Sequence, residues 1–313
     1  MISELVEMLG YCRPAGSETE EQFIDKFLDP LDVMYDEYGN VWKEIGDKPK
    51  IMWSSHTDTV HKNQGIVPIL IDGNTARVNP KSGASCLGAD CTTGVWLMME
   101  MIRKEVPGVY IFHRAEEIGC QGSDYIAKTY TSFLKKLEAC IAFDRYGTTS
   151  VITHQMGQRG CSEKFAGSLI QQLPGFKTDN GGSFTDSYTY FDLIPECTNL
   201  SVGYYSQHGM KESQNLSFAQ QMRDWMVEID PTKFIIDRDP SIVEYESYKS
   251  YYGGVGSTLY DMDDGYWSTG SKAKSLCDLV RRHPQEAADL MELYGVSTLE
   301  LQAHIDGEHS FYG

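Results

Sequence analysis

The chain has 313 residues, of which 41% are hydrophobic and 23% charged, a composition typical of a globular protein with a substantial core. Lys and Arg total 27 against 45 Asp and Glu, so the formal net charge is -18. This charge argues against a nucleic-acid partner, because a phosphate backbone is bound by basic surfaces. We also expect no membrane segment and no secretory leader, since no apolar run approaches roughly 18 residues.

Eight cysteines are scattered along the chain without C-x-x-C pairs. A chain of this length can fold without a disulfide framework, so we expect most of them to be buried, reduced thiols. Reduced thiols together with the missing leader predict a cytoplasmic location.

Short apolar runs alternate with helical patterns over roughly the first 230 residues. Ser17 is predicted to begin a helix with Glu20 as its capping-box partner, and hairpins are predicted to turn at residues 38–40 and 72–74. The predicted core strands lie in KIMWSSH, GVYIFHRAEE, EACIAFD and CTNLSVGYY, and the predicted helices in TTGVWLMMEMIRKE, GSDYIAKTYTSFLKKL and NLSFAQQMRDWMVEI. This alternation predicts a three-layer α/β/α fold with a mixed, mainly parallel central sheet.

The composition changes near the end of this region. We predict a first domain over residues 1–237, a linker rich in Tyr, Gly and Ser over 238–274, and a small helical module over 275–313. The sequence does not predict a role for this module. A helix-turn-helix is one alternative, which the acidic chain disfavours.

Several polar residues stand where a predicted strand ends or a predicted helix begins, which is where open α/β sheets bind ligands. Each has an ordinary alternative explanation, such as a helix cap, a turn or a solvated face. Together they form a set of imidazole and carboxylate groups, which suits zinc and also accepts cobalt or manganese. The residues are His56 and Asp58 in HTDTV, Asp90 in LGADCTTG, Glu116 and Glu117 in AEEIG, Asp144 in AFDRYG, and His208 in YYSQHG.

The adjacent glutamates favour two separate roles. Successive side chains on an extended segment point in different directions, so one can bind a metal while the other faces a bound water. A carboxylate that is not a ligand can take a proton from that water and pass it to the leaving group. The residues alone do not decide which glutamate has which role.

The motifs HTDTV, LGADCTTG, AEEIGCQGS and AFD, with the downstream His208, resemble the successive motifs of the co-catalytic di-zinc exopeptidases. This superfamily includes peptidase T, carboxypeptidases and aminopeptidases. The opening segments CRPAGSETEEQF and DEYGNVW are also similar to the helix and hairpin that begin those enzymes. The resemblance covers roughly residues 1–230, and it implies the zinc-exopeptidase fold and two zinc ions.

The resemblance also implies a role for each residue. One ion would be bound by His56, Asp90 and Asp144. The other would be bound by Asp90, Glu117 and His208, with Asp90 bridging the two ions. Glu116 would be the general base, and Asp58 would orient the imidazole of His56.

The stretches between these motifs are too short for the second, lid domain of many relatives, so we expect a catalytic domain without a lid. Another group must then help zinc to stabilise the oxyanion, and the candidates are His154, Tyr204 and Tyr205, although each could equally serve in packing. Asp186, in GGSFTDSYTYFD, is a candidate contact for a substrate amine.

These features predict a metallopeptidase that hydrolyses a terminal peptide bond with a water held between two metal ions. An aminopeptidase acting on peptides or amino-acid amides is favoured, because relatives with Asp at the position of Asp144 are more often aminopeptidases. A carboxypeptidase or an N-acyl amino acid deacylase is the alternative, which Arg145 keeps open. A third, less favoured hypothesis is a non-catalytic scaffold. The sequence makes no prediction of the oligomeric state.

Overall fold

The fold is that of a computed structural model, which describes residues 2–245 together with Pro284 and Ala288. In these residues the α-helices are α1 Ile2–Met8, α2 Glu18–Phe23, α3 Ala89–Arg103, α4 Gln121–Thr129, α5 Thr131–Leu134, α6 Glu163–Ile170 and α7 Leu216–Met226. The strands are β1 Tyr11–Cys12, β2 Met34–Tyr35, β3 Val41–Ile45, β4 Ile51–His56, β5 Gly65–Ile66, β6 Leu70–Asp72, β7 Thr75–Arg77, β8 Gly108–His113, β9 Ala139–Arg145, β10 Ser150–Ile152, β11 His154–Gln155, β12 Gln158–Arg159, β13 Lys177–Asp179, β14 Glu196–Ser201, β15 Tyr204–Tyr205 and β16 Ser213–Asn215. A π-helical turn, Ile24–Leu28, continues α2, and short 3-10 turns lie at Asp29–Leu31, Asp186–Tyr190 and Pro231–Lys233.

The central sheet has eight strands in the order β13-β10-β14-β9-β4-β8-β3-β2. Its middle strands β14, β9, β4 and β8 are mutually parallel. Antiparallel pairs occur between β3 and β8, between β2 and β3, and between β10 and β14. The prediction of a mixed, mainly parallel sheet is therefore confirmed.

Side chains of the central strands alternate between two hydrophobic clusters, as expected for strands that are buried on both faces. On β4, Ile51 and Trp53 belong to one cluster and Met52 to the other. The first cluster includes buried side chains of α1, α3, α6 and α7, and the second includes those of α4 and α5. Helices cover both faces of the sheet, so the predicted three-layer arrangement is confirmed.

Both predicted hairpins are present. Strands β2 and β3 pair on either side of residues 36–40, where the Asp36 carboxylate accepts the backbone N–H groups of residues 38, 39 and 40. In the second hairpin Asp72 pairs with Thr75, which leaves Gly73 and Asn74 as a two-residue turn.

The predicted cap at Ser17 is present, but Glu20 bonds differently from a capping-box residue. Ser17 Oγ accepts the N–H of Glu20 at 3.2 Å, as predicted. Glu20 Oε2 accepts the N–H of Gly16 at 2.7 Å, and its Oε1 lies 2.8 Å from Nε of Arg114. Because Arg114 directly follows β8, this ion pair ties α2 to the strand end that precedes Glu116.

Helix α3 lies directly against the central strands at Gly94. A Cβ at this position would lie 2.3 Å from the carbonyl oxygen of Phe143 and 2.6 Å from Oγ of Ser55. Only glycine allows this approach, which brings the first turn of α3 to the carboxyl ends of β4 and β9.

Residues 2–245 fall within one compact unit, without a second domain inserted between His56 and Asp90 or between Asp144 and His208. The predicted absence of a lid is confirmed. In the part of the chain that the structure describes, no helix combines the length and apolar character needed to cross a membrane. Seven cysteines fall in this part, and all are free and buried, as predicted. The cytoplasmic location stays a prediction.

The first residues of the predicted linker, 238–245, are described and bond to the domain. The Arg238 guanidinium donates to three carbonyl groups within residues 191–195, and the N–H of Arg159 donates to the carbonyl of Glu244. The remainder of the linker and the predicted helical module of 275–313 lie outside the described residues, except for Pro284 and Ala288. The predicted division into domains stays a prediction.

Candidate metal centre

The sheet topology brings the predicted site residues to one edge of the sheet. His56 is the last residue of β4 and stands opposite His113, the last residue of the parallel strand β8. Glu116 and Glu117 follow β8 after a short turn, and Asp144 is the penultimate residue of β9. Because β8, β4 and β9 are parallel neighbours, their carboxyl ends meet at the same edge.

Asp58 organises the centre of this edge. Its carboxylate is buried, with Oδ1 accepting the N–H of Glu116 and Oδ2 the N–H of Glu117, both at 3.0 Å. Oδ1 also lies 3.4 Å from Nδ1 of His56, which is 3.1 Å from the carbonyl oxygen of Asp58. One residue therefore fixes the ring of His56 and the backbone of both glutamates, while Nε2 of His56 faces Glu116 Oε2 at 3.9 Å.

Asp90 lies in the first turn of α3 and is buried. Its Oδ1 accepts the N–H of Cys91 at 2.8 Å, and its Oδ2 lies 3.0 Å from Nε2 of His208. Gly88 precedes the helix with φ of 64°, and a Cβ there would lie 2.6 Å from the methyl group of Thr59. The glycine thus permits the tight entry that points Asp90 toward the strand ends.

His208 and Glu117 complete a second group around Asp90. The ligand atoms of Asp90, Glu117 and His208 lie within 4.8 Å of one another, as do those of His56, Glu116 and Glu117. Glu117 Oε1 is 3.4 Å from Nε2 of His208, yet this buried oxygen accepts no hydrogen bond from the described residues. His208 is half exposed, and its backbone is left-handed with φ of 64°.

Asp144 is held in place by hydrogen bonds with Thr185 and Asn199. Its Oδ2 accepts a hydrogen bond from Thr185 Oγ1 at 2.7 Å. The Asn199 side chain accepts the N–H of Asp144 at 2.9 Å and donates to its carbonyl at 3.1 Å. Among the described residues Asp144 belongs to none of the close groups of ligand atoms formed by the other predicted ligands.

Cys91 joins His56 and Asp90 in a third close group, on the far side of the imidazole. Its thiol donates to the carbonyl of Asp58 at 3.2 Å, the same oxygen that Nδ1 of His56 approaches. The thiol thus lies on the Nδ1 side of the ring, behind the nitrogen that faces Glu116.

Three acidic side chains lie close together and largely buried at the site, and their pKa values are raised. Burial is the largest cause that raises the pKa of Glu116 well above its ordinary value, and the carboxylates of Asp144, Asp186 and Glu117 add to the rise. Burial also raises the pKa of Glu117, and that of Asp144 to about 7. Among the described residues, no Lys or Arg forms an ion pair with these three acids.

The pKa of His208, in the second group, is also raised, which for a histidine favours the charged form. Burial alone would lower the pKa of His208, but the hydrogen bond to Asp90 and the nearby carboxylate of Glu117 raise it to about 11. Burial likewise opposes ionisation of Asp90, yet the bond from His208 holds its pKa at about 2.

Comparison with known proteins adds an independent finding. Residues 40–173 match the model of a family described as Peptidase family M28. In structure the chain is similar to aminopeptidase PepT from Bacillus cereus ATCC 10987, at 14% identity and a TM-score of 0.57 over 72% of this chain and 96% of that one. It is also similar to a tripeptidase from Staphylococcus aureus subsp. aureus Mu50, at 14% identity and a TM-score of 0.59 over 74% and 97%. A third similar structure is the TET1 peptidase of Pyrococcus horikoshii, at 14% identity and a TM-score of 0.54 over 72% and 98%. No protein of curated function matches the chain.

The family match over residues 40–173 and the fold shared with these aminopeptidase structures agree with the resemblance to the zinc exopeptidases that the sequence motifs indicate. The matched family segment contains His56, Asp58, Asp90, the two glutamates and Asp144, and it ends before His208. In the fold shared with these structures, the candidate ligands lie at the carboxyl edge of the sheet.

The four candidates for substrate contact are placed differently from one another. Asp186 is buried, with Oδ2 3.3 Å from Nδ1 of His113 and no hydrogen bond to either oxygen from the described residues. Tyr204 is buried and donates to the carbonyl of Asp144 at 3.4 Å, whereas Tyr205 is exposed. His154 is buried on β11 and lines a cavity of about 870 Å³ that none of the predicted ligands lines. Their roles stay predictions, with Asp186 and Tyr204 adjoining the site residues.

Two residues that hold Asp144 were not identified from the sequence. Thr185 directly precedes Asp186, which the sequence predicts to contact a substrate amine, so its hydroxyl could have been considered. Asn199 lies within a buried strand and contacts Asp144 across the pairing of β14 with β9. No local sequence pattern signals that contact.

Proposed function

We propose that the protein is a zinc-dependent aminopeptidase that removes the N-terminal residue of a peptide or of an amino-acid amide. The observation that carries the proposal is the convergence of His56, Asp90, Glu116, Glu117 and His208 at one sheet edge. The family match, and the naming of the similar structures as an aminopeptidase and a tripeptidase, support peptide hydrolysis.

The residues at this edge fit divalent metal. Nitrogen and carboxylate donors suit zinc, and also cobalt or manganese. Glu117 Oε1 is buried without a hydrogen bond, and neighbouring acids have raised pKa values, as expected where cations balance the charge. His56, Asp90 and Asp144 would hold one ion, and Asp90, Glu117 and His208 the other.

Bound zinc would polarise the scissile carbonyl and acidify the attacking water. Glu116 would take the proton of that water and deliver it to the leaving amine. Asp58 supports this role, because it binds the N–H of Glu116 and lies against Nδ1 of His56, so that Nε2 faces the site. The Glu116 side chain is largely buried, with 11% of its surface exposed.

The contacts of three arginines favour an aminopeptidase over a carboxypeptidase. A carboxypeptidase needs a cation for the substrate carboxylate. Arg114, which precedes the adjacent glutamates, forms ion pairs with Glu20 and Glu21, and Arg145 and Arg159 are two further arginines to consider.

Arg145 is buried, stacks on the ring of Tyr146 at 4.1 Å and lies 3.3 Å from an oxygen of Asp179. Arg159 forms an ion pair with Glu244 at 2.8 Å. All three cations are already engaged within the chain.

The adjacent glutamates provide a matched test of the mechanism. We expect Glu116→Gln to retain the zinc content of the wild type and to lose about 100-fold or more in kcat, because the proton acceptor is gone. Glu117→Gln, equal in size, is expected to lose zinc. Metal analysis and steady-state kinetics on both variants check this. Full activity in Glu116→Gln, or equal zinc and turnover in all three proteins, would refute the assignment. Absence of turnover in the wild type would favour the scaffold alternative.

Substrate class is tested with a panel. We expect hydrolysis of aminoacyl p-nitroanilides and of short peptides with a free amino terminus, and none when that terminus is acetylated. N-acyl amino acids serve as the opposing set. Cleavage restricted to the acylated compounds would establish the deacylase or carboxypeptidase alternative in place of the aminopeptidase.

A further inference from the structure

Glu212 has a buried carboxylate that no step of the proposed chemistry uses. It lies four residues after His208 in the loop between β15 and β16. Its Oε1 accepts the N–H of Ala89 at 2.7 Å. Its Oε2 accepts the N–H groups of Leu87 at 2.8 Å and of Gly88 at 3.2 Å.

Ala89 is the first residue of helix α3, Gly88 is its N-cap and Leu87 precedes it, and Asp90 is the second residue of the helix. The first N–H groups of a helix have no partner within the helix, and a carboxylate at this end is favoured by the helix dipole. Gly88, at the N-cap, has no side chain to supply the acceptor. Glu212 therefore caps α3 from a distant part of the chain.

The cap joins the start of α3, which carries Asp90, to the loop that carries His208, and so links two of the three proposed ligands of one ion. Asp90 directly follows the capped amides, and His208 belongs to the same loop as Glu212, whose N–H donates to the carbonyl of Gly209 at 3.0 Å. The two ligands meet at 3.0 Å between Nε2 of His208 and Oδ2 of Asp90. Because His208 is half exposed, packing around its own side chain does little to fix it.

We propose that Glu212 is a positioning residue that fixes Asp90 relative to His208 and thereby sets the affinity for the metal ion between them. This inference rests on the proposed function, which places an ion there. Glu212 acts through the backbone and contacts neither the ion nor the substrate. Replacement by Gln keeps the shape but puts an amide donor against backbone donors, so the tie between the loops is weakened.

Glu196 offers a matched control. It is equally buried, and its carboxylate accepts bonds from the N–H and hydroxyl of Ser162 and from the N–H groups of Asp237 and Arg238. It forms no contact with a proposed ligand among the described residues. Glu196→Gln should thus lower the unfolding temperature as Glu212→Gln does, without changing metal binding.

The experiment is a zinc titration of metal-free full-length protein by calorimetry, with a competing chelator where binding is tight. We expect Glu212→Gln to bind one of its zinc ions about 10- to 100-fold more weakly than the wild type, the usual effect of removing a group that orients ligands. Glu196→Gln should bind both ions as the wild type does. Wild-type affinity in Glu212→Gln, or an equal loss in Glu196→Gln, would overturn the inference.

A second variant covers the case in which Glu212→Gln does not fold. Glu212→Asp keeps the charge but is one methylene shorter, so we expect an intermediate loss of zinc affinity. Unchanged affinity in that variant contradicts the inference. A wild-type chain that binds no zinc would overturn the proposed function as well, whereas normal wild-type binding with unaffected variants would overturn this inference alone.

Discussion

At the scale of single residues, Asp58 shows which contacts a sequence motif predicts and which it does not. The resemblance implied that it orients His56, and the carboxylate does lie 3.4 Å from Nδ1 of that ring. Its two bonds to the N–H groups of Glu116 and Glu117 could not be predicted. They depend on a left-handed turn at Ala115, with φ of 59°, a strained conformation that a sequence pattern does not indicate for alanine.

His61 leads to a prediction about pH. It is buried, with Nδ1 2.7 Å from Oγ1 of Thr59 and Nε2 3.0 Å from the carbonyl of Cys86. Burial is the largest cause that lowers its pKa from 6.5 to about 4, and the charge of Arg13 adds to it. The native state therefore resists protonation that the unfolded chain accepts.

The sign of the effect follows from these two pKa values. The contribution of neutral His61 is fully present above pH 6.5 and is lost as the pH falls toward about 4, amounting to about 3 kcal/mol of unfolding free energy. We expect His61→Gln to be less stable than the wild type at pH 7.5 but to lose less stability between pH 7.5 and 4.5. Urea unfolding with a chelator present measures this, and equal acid losses in both proteins would contradict it.

At the scale of elements, the close approach of α3 to the sheet predicts opposite effects at two helical glycines. Gly94→Ala places a methyl group against the carbonyl of Phe143, so we expect a loss of about 1–3 kcal/mol despite the better helix propensity of alanine. Gly167→Ala on α6 is the control, because a Cβ there meets nothing within 4 Å, and we expect a gain of about 0.5–1 kcal/mol. Denaturant unfolding compares them, and a Gly94→Ala protein as stable as the wild type would show that the contact is not tight.

The elements found from the sequence and those missed differ in length and pattern. Strands β4, β8 and β9 were predictable because each is a continuous apolar run ending in polar residues, and the turn at Gly73 and Asn74 has a strong local signal. Helices α1 and α6 span only seven and eight residues, too few for a clear helical period. The departure of Glu20 from a capping box depends on Arg114, which is distant in sequence.

At the scale of the whole molecule, the candidate centre draws on separate segments between residues 56 and 208 that the parallel sheet brings together. The order of the motifs made this convergence predictable, since residues at the carboxyl ends of parallel strands share an edge. The residues that support the ligands were harder to predict. Thr185 and Asn199 contact Asp144, and Glu212 contacts the backbone before Asp90, only through tertiary packing. Part of the net charge of -18 belongs to acids gathered at this edge.

The central claim is that one sheet edge holds two zinc ions bridged by Asp90. Anomalous diffraction from zinc-loaded crystals, recorded at the zinc absorption edge, tests it most directly. We predict two peaks about 3.5–4 Å apart on either side of the Asp90 carboxylate, one near His56 and Asp144 and the other near Glu117 and His208. The absence of peaks at this edge, or a single peak away from Asp90, would contradict the claim.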